Sequence, residues 1–489
     1  MSVPEQNKMG LLSCTSYVIG NIIGSGIFIT PAGMAEYSKS IGLSLLLWIF
    51  CGLLSLLGAI VYIELGTSIV EPGCDYAYAI HVGWRGAAFS FMVVSVFLTF
   101  PASAAIQTVT FGEYIVETLS PLVKLEGFLG AFAPKLVGLV LLILLTVLNF
   151  YSLEKFAARF QTIATAVKMV AMVLIIGAGL YHLAIMGETG NFAAPFSGAD
   201  WSPGALALGM YGGLWSYAGW DILNYGTPEI SHPRRTMPLA LVIGISVVCL
   251  TYLSINVSFF TVLSIDEVRN STAIAADFAE RSLGGAASAL PVMIALIVTS
   301  TLNSNLFCGS RIMQAAARER QLPAVFAGLH VPSGSPRPAV LAQSLLTVLC
   351  TFISMDYLIN CVTFVMWAQR ALTAAALLLI RYQHIPVESN PIRVPIILTV
   401  VLFISSTALV VVPLFTEFFI TLVGFGILIA AFIVYVLLLR INWPCNLLQV
   451  VDKKSAQLVN RVMGVETDWK EVPAIKPEEC QSFSVSRQR

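Results

Sequence analysis

The chain has 489 residues, of which 57% are hydrophobic and only 11% charged, with no formal net charge and a mean hydropathy of +0.83. A soluble domain carries about 25% charged residues, so this much apolar surface cannot hide in an aqueous fold, and lipid is the solvent. Zero net charge, with basic residues gathered at the ends of apolar runs, leaves nucleic-acid binding without support.

MSVPEQNKMG (1–10) is polar and leads directly into an apolar run longer than the core of a signal peptide, which reads as a retained span. Windows of bilayer length follow near 11–36, 43–68, 86–112, 134–152, 160–184, 205–226, 238–263, 287–310, 339–356, 358–381, 395–414 and 418–440. The expected fold is therefore an all-α polytopic membrane protein with twelve spans. Lys155, Arg159, Arg234, Arg235, Arg311, Arg318, Arg320, Arg337, Arg381, Arg393 and Arg440 fall on the side of the amino terminus. By the positive-inside rule that side, with both termini, is cytosolic. Acids such as Glu113, Glu117, Glu188, Asp266, Glu267, Asp277 and Glu280 dominate the opposite connections, one of which carries the glycosylation sequon Asn270-Ser271-Thr272. A second sequon at Asn256 lies inside a span and is silent.

Two spans carry glycines where helices in hydrocarbon need their backbone bonds: GNIIGSGIF (20–28) and GGLWSYAGW (212–220), about 190 residues apart. An unwound turn there persists only if protein or a solute-filled cavity satisfies its peptide groups. Taking spans 1 and 6 as equivalent divides the chain into two repeats, 11–184 and 205–382, of five spans each. Because five is odd, the second enters the membrane in the opposite sense, an inverted repeat with interrupted helices 1 and 6; spans 11 and 12 (395–440) are appended. From about residue 443 the composition turns polar, and 443–489 reads as a disordered cytosolic tail.

The direction of the chain assigns charge to each break. Span 1 rises from the cytosol, so carbonyls end its inner half near Ile22 and Ile23, and free amides of Gly24, Ser25 and Gly26 begin its outer half. These amides suit a carboxylate. Span 6 descends, ending its outer half in carbonyls near Trp215 and Ser216, followed by Ala218 and Gly219; these suit an ammonium. The two sites together match the head of an α-amino acid, while Ile22, Ile23, Trp215 and Ala218 favour a neutral, apolar side chain. For either glycine segment alone, close helix packing is the simpler explanation; the matched pair favours binding.

Trp215 is placed to cover the bound solute as a gate. Lys168, about 13 Å into span 5 by helix rise, reaches the span 1 break as a substitute for a coupled cation, or else snorkels to the cytosol. Asp221, below the span 6 break, receives a cation, relays protons or caps the amides of the inner half-helix. Arg370 in span 10 needs a carboxylate, carbonyl or water path, and Glu64 near the end of span 2 faces water or a basic loop. The nine cysteines show no CxxC pair or regular framework, so no metal is expected. No HExxH, GxSxG, P-loop or paired carboxylates at useful spacing occurs, so neither an enzyme nor a cofactor is expected.

GNIIGSGIFITP (20–31), YIELGTSI (62–69), DYAY (75–78), LNFYSLEKFAARFQTIATAVKMVAM (148–172), SYAGWDILNYGTPEI (216–230) and SRIMQAAARERQLP (310–323) resemble the L-type amino acid transporters. These are light chains of heteromeric transporters in the amino acid–polyamine–organocation superfamily. The resemblance covers about residues 10–442. It implies sodium-independent exchange of neutral amino acids, with the carboxylate on Gly24, Ser25 and Gly26; joined to the apolar residues at the breaks, the expectation is exchange of neutral, large or aromatic, L-amino acids at the plasma membrane. It likewise implies an aromatic gate at Trp215 and a cation-replacing lysine at Lys168. Residues 113–133 lack the cysteine that joins such light chains to a single-span heavy-chain glycoprotein, so pairing without a disulfide is what the resemblance leaves. Phe100-Pro101, Cys74 and Asp221 stand where many relatives have a basic residue before the proline, a glycine and an amide. A proton-coupled amino acid or polyamine carrier using Asp221, or a non-transporting amino acid receptor, is the alternative.

Overall fold

The computed structural model describes residues 9–69, 74–119, 127–151, 154–225, 230–284, 287–330, 333–387, 391–416, 418–440 and 446–467. Span 1 is two helices, α1 (Leu11–Ile22) and α2 (Gly26–Ser38), bent by 49° at the break. α3 (Ile41–Ser68) starts at Ser40, whose hydroxyl accepts from the Leu43 amide at 3.3 Å, the usual serine cap. A short helix α4 (Asp75–His81) precedes α5 (Arg85–Val94), which continues through a π-helical turn (Ser95–Thr99) into α6 (Phe100–Leu119). α7 (Gly127–Tyr151) and α8 (Glu154–Ala184) complete the first half.

The second half opens with α9 (Pro203–Ser216), capped by Ser202 with Pro203 in its first turn, and the four-residue α10 (Ile222–Tyr225). α11 (Pro233–Val262) is followed by two short helices, α12 (Ile265–Asn270) and α13 (Ile274–Ser282). Then come α14 (Ala289–Arg318), α15 (Arg337–Cys350) and α16 (Met355–Gln383), and finally α17 (Ile396–Thr416), α18 (Phe418–Val434) and α19 (Asn446–Met463).

Among the described residues, eight helices are long and apolar enough to cross a membrane, and the bent α1–α2 pair adds a ninth. Arg337–Cys350 and Thr421–Leu437 are apolar but shorter, and α9 stops after 14 residues at the second break. The chain is thus an all-α polytopic membrane protein. Twelve full-length spans are not reached by length alone, because breaks and short segments interrupt the series.

Corresponding elements of the two halves pack on one another: α2 on α9, α3 on α11, α6 on α14 and α7 on α15. Lipid-facing side chains are apolar, as Val140, Ile143, Val173 and Leu250 show by their exposure, since a bilayer imposes no penalty on them.

The tail expected from residue 443 contains α19. Asp452 Oδ1 accepts from the Ala324 amide at 2.9 Å, Ala456 is buried, and Gly328–Leu329 pairs antiparallel with Glu466–Thr467. Composition missed this helix because its apolar residues are spaced helically among charges, as an amphipathic helix requires. Residues 468–489 and 120–126, the latter within the cysteine-free connection, lie outside the described set.

Candidate functional site

The two breaks touch. A Cβ built on Gly26 would fall 2.8 Å from the Ser216 Cα and 2.8 Å from its Oγ, so only glycine permits this approach. Beside it, the hydroxyls of Thr30 and Ser216 share a hydrogen bond of 2.7 Å. In the second break Gly219 has φ +98°, and a Cβ there would meet the Asn21 Nδ2 at 2.3 Å. Both backbone and neighbour therefore demand glycine. Asn21 Nδ2 donates to the Gly219 carbonyl at 2.8 Å, tying the end of α1 to the turn after α9. Gly24 is different: the nearest neighbour of its Cβ position is the Thr301 methyl at 3.5 Å, an ordinary contact.

Helix ends in lipid must place their carbonyls, and three at the end of α1 have identifiable partners. Ile19 O accepts from the Ile23 amide at 2.9 Å, Gly20 O from the Lys168 Nζ at 3.3 Å, and Ile22 O from the Tyr252 hydroxyl at 3.0 Å. Tyr252, on α11, also stands 3.1 Å from Ser216 O at the end of α9. A single phenol thus joins the negative ends of both broken helices. The Ser25 amide, by contrast, has no acceptor among the described residues; it precedes the first turn of α2, where the Phe28 amide already donates to Ser25 O at 3.0 Å.

Of the residues singled out in the sequence, Ile22 and Ile23 are buried in the hydrophobic core, and neither lines the large cavity beneath the breaks. Ser25 and Ser216 are buried. Trp215 packs against Ala102, Ala105, Ile106, Leu358, Ile359 and Val362 from α6 and α16, on the side of the breaks away from the amino terminus. Its carbonyl accepts from the Ala218 amide at 3.1 Å. Lys168 is 5% exposed and meets the carbonyl end of α1, where a cation complements the helix dipole; snorkelling is not what it does. Asn270 is exposed at the end of α12, its Nδ2 donating to Asp266 O at 2.8 Å.

Asp221 does not cap α10. Its Oδ2 accepts from Arg370 Nη2 at 2.7 Å, while Arg370 Nη1 reaches Asp75 Oδ2 at 2.5 Å and Tyr62 Oη at 3.1 Å. Asp75 is further held by Tyr62, by Thr373 Oγ1 at 2.7 Å and by Gln369 Nε2 at 3.0 Å. The guanidinium also lies over the rings of Tyr62 and Trp220, 5.1 and 4.8 Å from their centroids, a favourable cation–π placement. Arg370 thus finds the carboxylate it needs twice over. Glu64 is 3% exposed, so it does not face water but meets the basic connection after α16: Arg381 Nε donates to its Oε1 at 2.8 Å and the amide of Val394, next to Arg393, to its Oε2 at 2.9 Å.

A cavity of about 520 Å³ lies on the amino-terminal side of the breaks, bounded by Asn21, Gly219, Asp75, Asp221, Arg370 and Thr373 and by apolar residues such as Phe91, Met92, Phe100 and Met366. Its size falls within the usual range of small-molecule sites, about 300–1,000 Å³. A family profile described as amino acid permease matches residues 9–439. The chain belongs to the amino acid permease family. This permease is 38% identical to amino acid transporter protein 6 of Caenorhabditis elegans, over 97% of the chain and 96% of that protein. It is 36% identical to the human cystine/glutamate transporter, over 95% and 91% of the two chains. With the human b(0,+)-type amino acid transporter 1 the identity is 33%, over 84% and 83%. These matches bear out the L-type resemblance drawn from the motifs, and they make this a membrane transporter of amino acids, not an enzyme.

Sequence reasoning passed over Asn21, Tyr252, Tyr62 and Asp75 as site residues. Asn21 had a signal, an amide in the apolar motif beside the break, where polar groups are costly. Tyr252, inside the long apolar run of α11, had none.

Proposed function

We propose that this permease exchanges neutral, large or aromatic, L-amino acids across the plasma membrane without sodium, by alternating access. The observation that carries the reading is the meeting of the two breaks at Gly26 and Ser216, with the Ser25 amide unpartnered and carbonyl ends alongside. The substrate carboxylate sits on the amides of Gly24, Ser25 and Gly26, and its ammonium shares the second lone pairs of carbonyls near Ser216, which Tyr252 engages only once each. Ile22, Ile23, Trp215, Ala218 and Gly219 supply the surrounding shape. Lys168 occupies the position of a coupled cation. Trp215 closes the outer side while the cavity lies on the inner side, as an inward-facing state requires.

Both termini are cytosolic in this reading, Asn270 is glycosylated outside, and a heavy-chain glycoprotein pairs, if at all, without a disulfide from residues 113–133. The repeats are 11–184 and 205–382, with spans 11 and 12 at 395–440.

Proteoliposomes containing the purified protein test it. Uptake of labelled phenylalanine is expected to be several-fold faster into vesicles preloaded with unlabelled amino acid than into empty ones, with or without sodium. Equal rates overturn exchange, and strict sodium dependence overturns the role of Lys168.

A further inference from the structure

We propose that Asp221 makes the inner cavity reject amino acids with anionic side chains, so that Arg370 acts as an internal counter-ion and not as an anion receptor. The inference rests on the amino acid site proposed above and names what its side-chain compartment excludes.

Arg370 is the one cationic side chain among the described residues lining the cavity. A transporter for anionic side chains needs a guanidinium of this kind free to receive a carboxylate. Here both of its ends are taken, by Asp75 at 2.5 Å and by Asp221 at 2.7 Å. With both carboxylates ionised, two against one guanidinium leave one negative charge in excess, and that excess has a location. Each oxygen of Asp75 has donors: Tyr62 and Thr373 on Oδ1, Arg370 and Gln369 on Oδ2. Asp221 spends only Oδ2, on Arg370; among the described residues no donor reaches its Oδ1. Asp221 also lines the cavity, which reaches the breaks at Asn21 and Gly219; in this proposal the far end of a solute's side chain enters that space.

The electrostatics are one-sided. A neutral side chain bearing an N–H or O–H can donate to Asp221, whereas a carboxylate at the same place meets a like charge in a site of low dielectric. At an effective dielectric of about 20, like charges several ångströms apart weaken binding on the order of tenfold or more. Arg370 cannot turn to the newcomer without abandoning carboxylates that are themselves buried. An amide in place of Asp221 would leave Asp75 and Arg370 balanced. The aspartate is therefore the specific source of the excess.

Glutamine and glutamate differ in charge at nearly constant shape and form the diagnostic pair. Thermal-shift titrations of the full-length purified protein are expected to give glutamate binding at least tenfold weaker than glutamine. Asp221→Asn should narrow that ratio by about tenfold, and Asp221→Glu, which keeps the charge, should preserve it. If glutamate binds the native protein as well as glutamine, or if the ratio is unchanged in Asp221→Asn, the proposal is overturned. Should Asp221→Asn fail to fold, Asp221→Ser removes the same charge with a smaller side chain and is read by the same ratio. Glutamate γ-methyl ester must bind the native protein like glutamine; if it is rejected like glutamate, size and not charge decides, and the proposal falls. Absence of trans-stimulation in vesicles would overturn exchange alone, since the binding ratio does not depend on flux.

Discussion

Gly26 faces Ser216 so closely that a Cβ on the glycine would stand 2.8 Å from the serine Cα. The contact brings the amide end of one half-helix to the carbonyl end of another with no side chain between. Gly24, two residues earlier, has only an ordinary contact at 3.5 Å. Gly26→Ala is therefore expected to push α2 from α9 and lower amino acid uptake by at least about tenfold, since misplacement by an ångström costs much at a preorganised site. Gly24→Ala should retain most of it. Uptake normalised to surface expression separates the two; equal losses would count against the contact.

Tyr252 carries the second link between the breaks, through Ile22 O and Ser216 O. Tyr252→Phe keeps the ring among Trp48 and Tyr217 and removes only the hydroxyl. The hydroxyl has one proton to give, so the loss leaves one of the two carbonyls short of a donor, about 1–3 kcal/mol. A lowered melting temperature together with a slower exchange rate is expected, both measured on the same reconstituted preparation.

Lys168 donates to Gly20 O from α8. Lys168→Ala removes the cation at the end of α1, a position where a charge is worth about 0.3–2 kcal/mol, and exchange should fall severalfold. Lys168→Arg should recover part of the rate because the charge returns, and Lys168→Met, which restores only bulk, should not. Rates of the three variants in sodium-free vesicles decide the matter; equal rescue by methionine would reduce Lys168 to packing.

Arg381, itself partly exposed, pairs with the buried carboxylate of Glu64, which also accepts from the Val394 amide. Arg381→Ala strands the charge of Glu64, and breaking one side of such a pair costs about 3–5 kcal/mol. The double change Glu64→Gln with Arg381→Met should be clearly less damaging than Arg381→Ala. Melting of detergent-solubilised protein checks the ordering.

Much of this could be read along the chain. Hydropathy alone defines the membrane class, because length and apolarity are local properties that the bilayer selects directly. The positions of the breaks follow from glycines inside spans, and the polarity of each break from chain direction. α1 ends at Ile22 and α9 at Ser216, where those arguments put the helix ends. Lys168 lies near the break because its depth follows from helix rise.

Which groups complete the site is another matter. Asp75, Asp221 and Arg370 come from α4, the second break and α16, residues separated by well over a hundred positions, and no periodicity links them. Arg370 and Glu64 each announce that a buried charge requires a partner, yet not which one. Tyr252 lies in an apolar helix where a tyrosine looks like any other aromatic, and only the packing of α11 against α1 and α3 brings its hydroxyl to both broken ends. The sequence by itself determined the solvent, the helices and where they break, since these depend on neighbours along the chain. The tertiary structure decided how each freed carbonyl and buried charge is satisfied, since hydrogen bonds and ion pairs form between groups that meet only after the helices have packed.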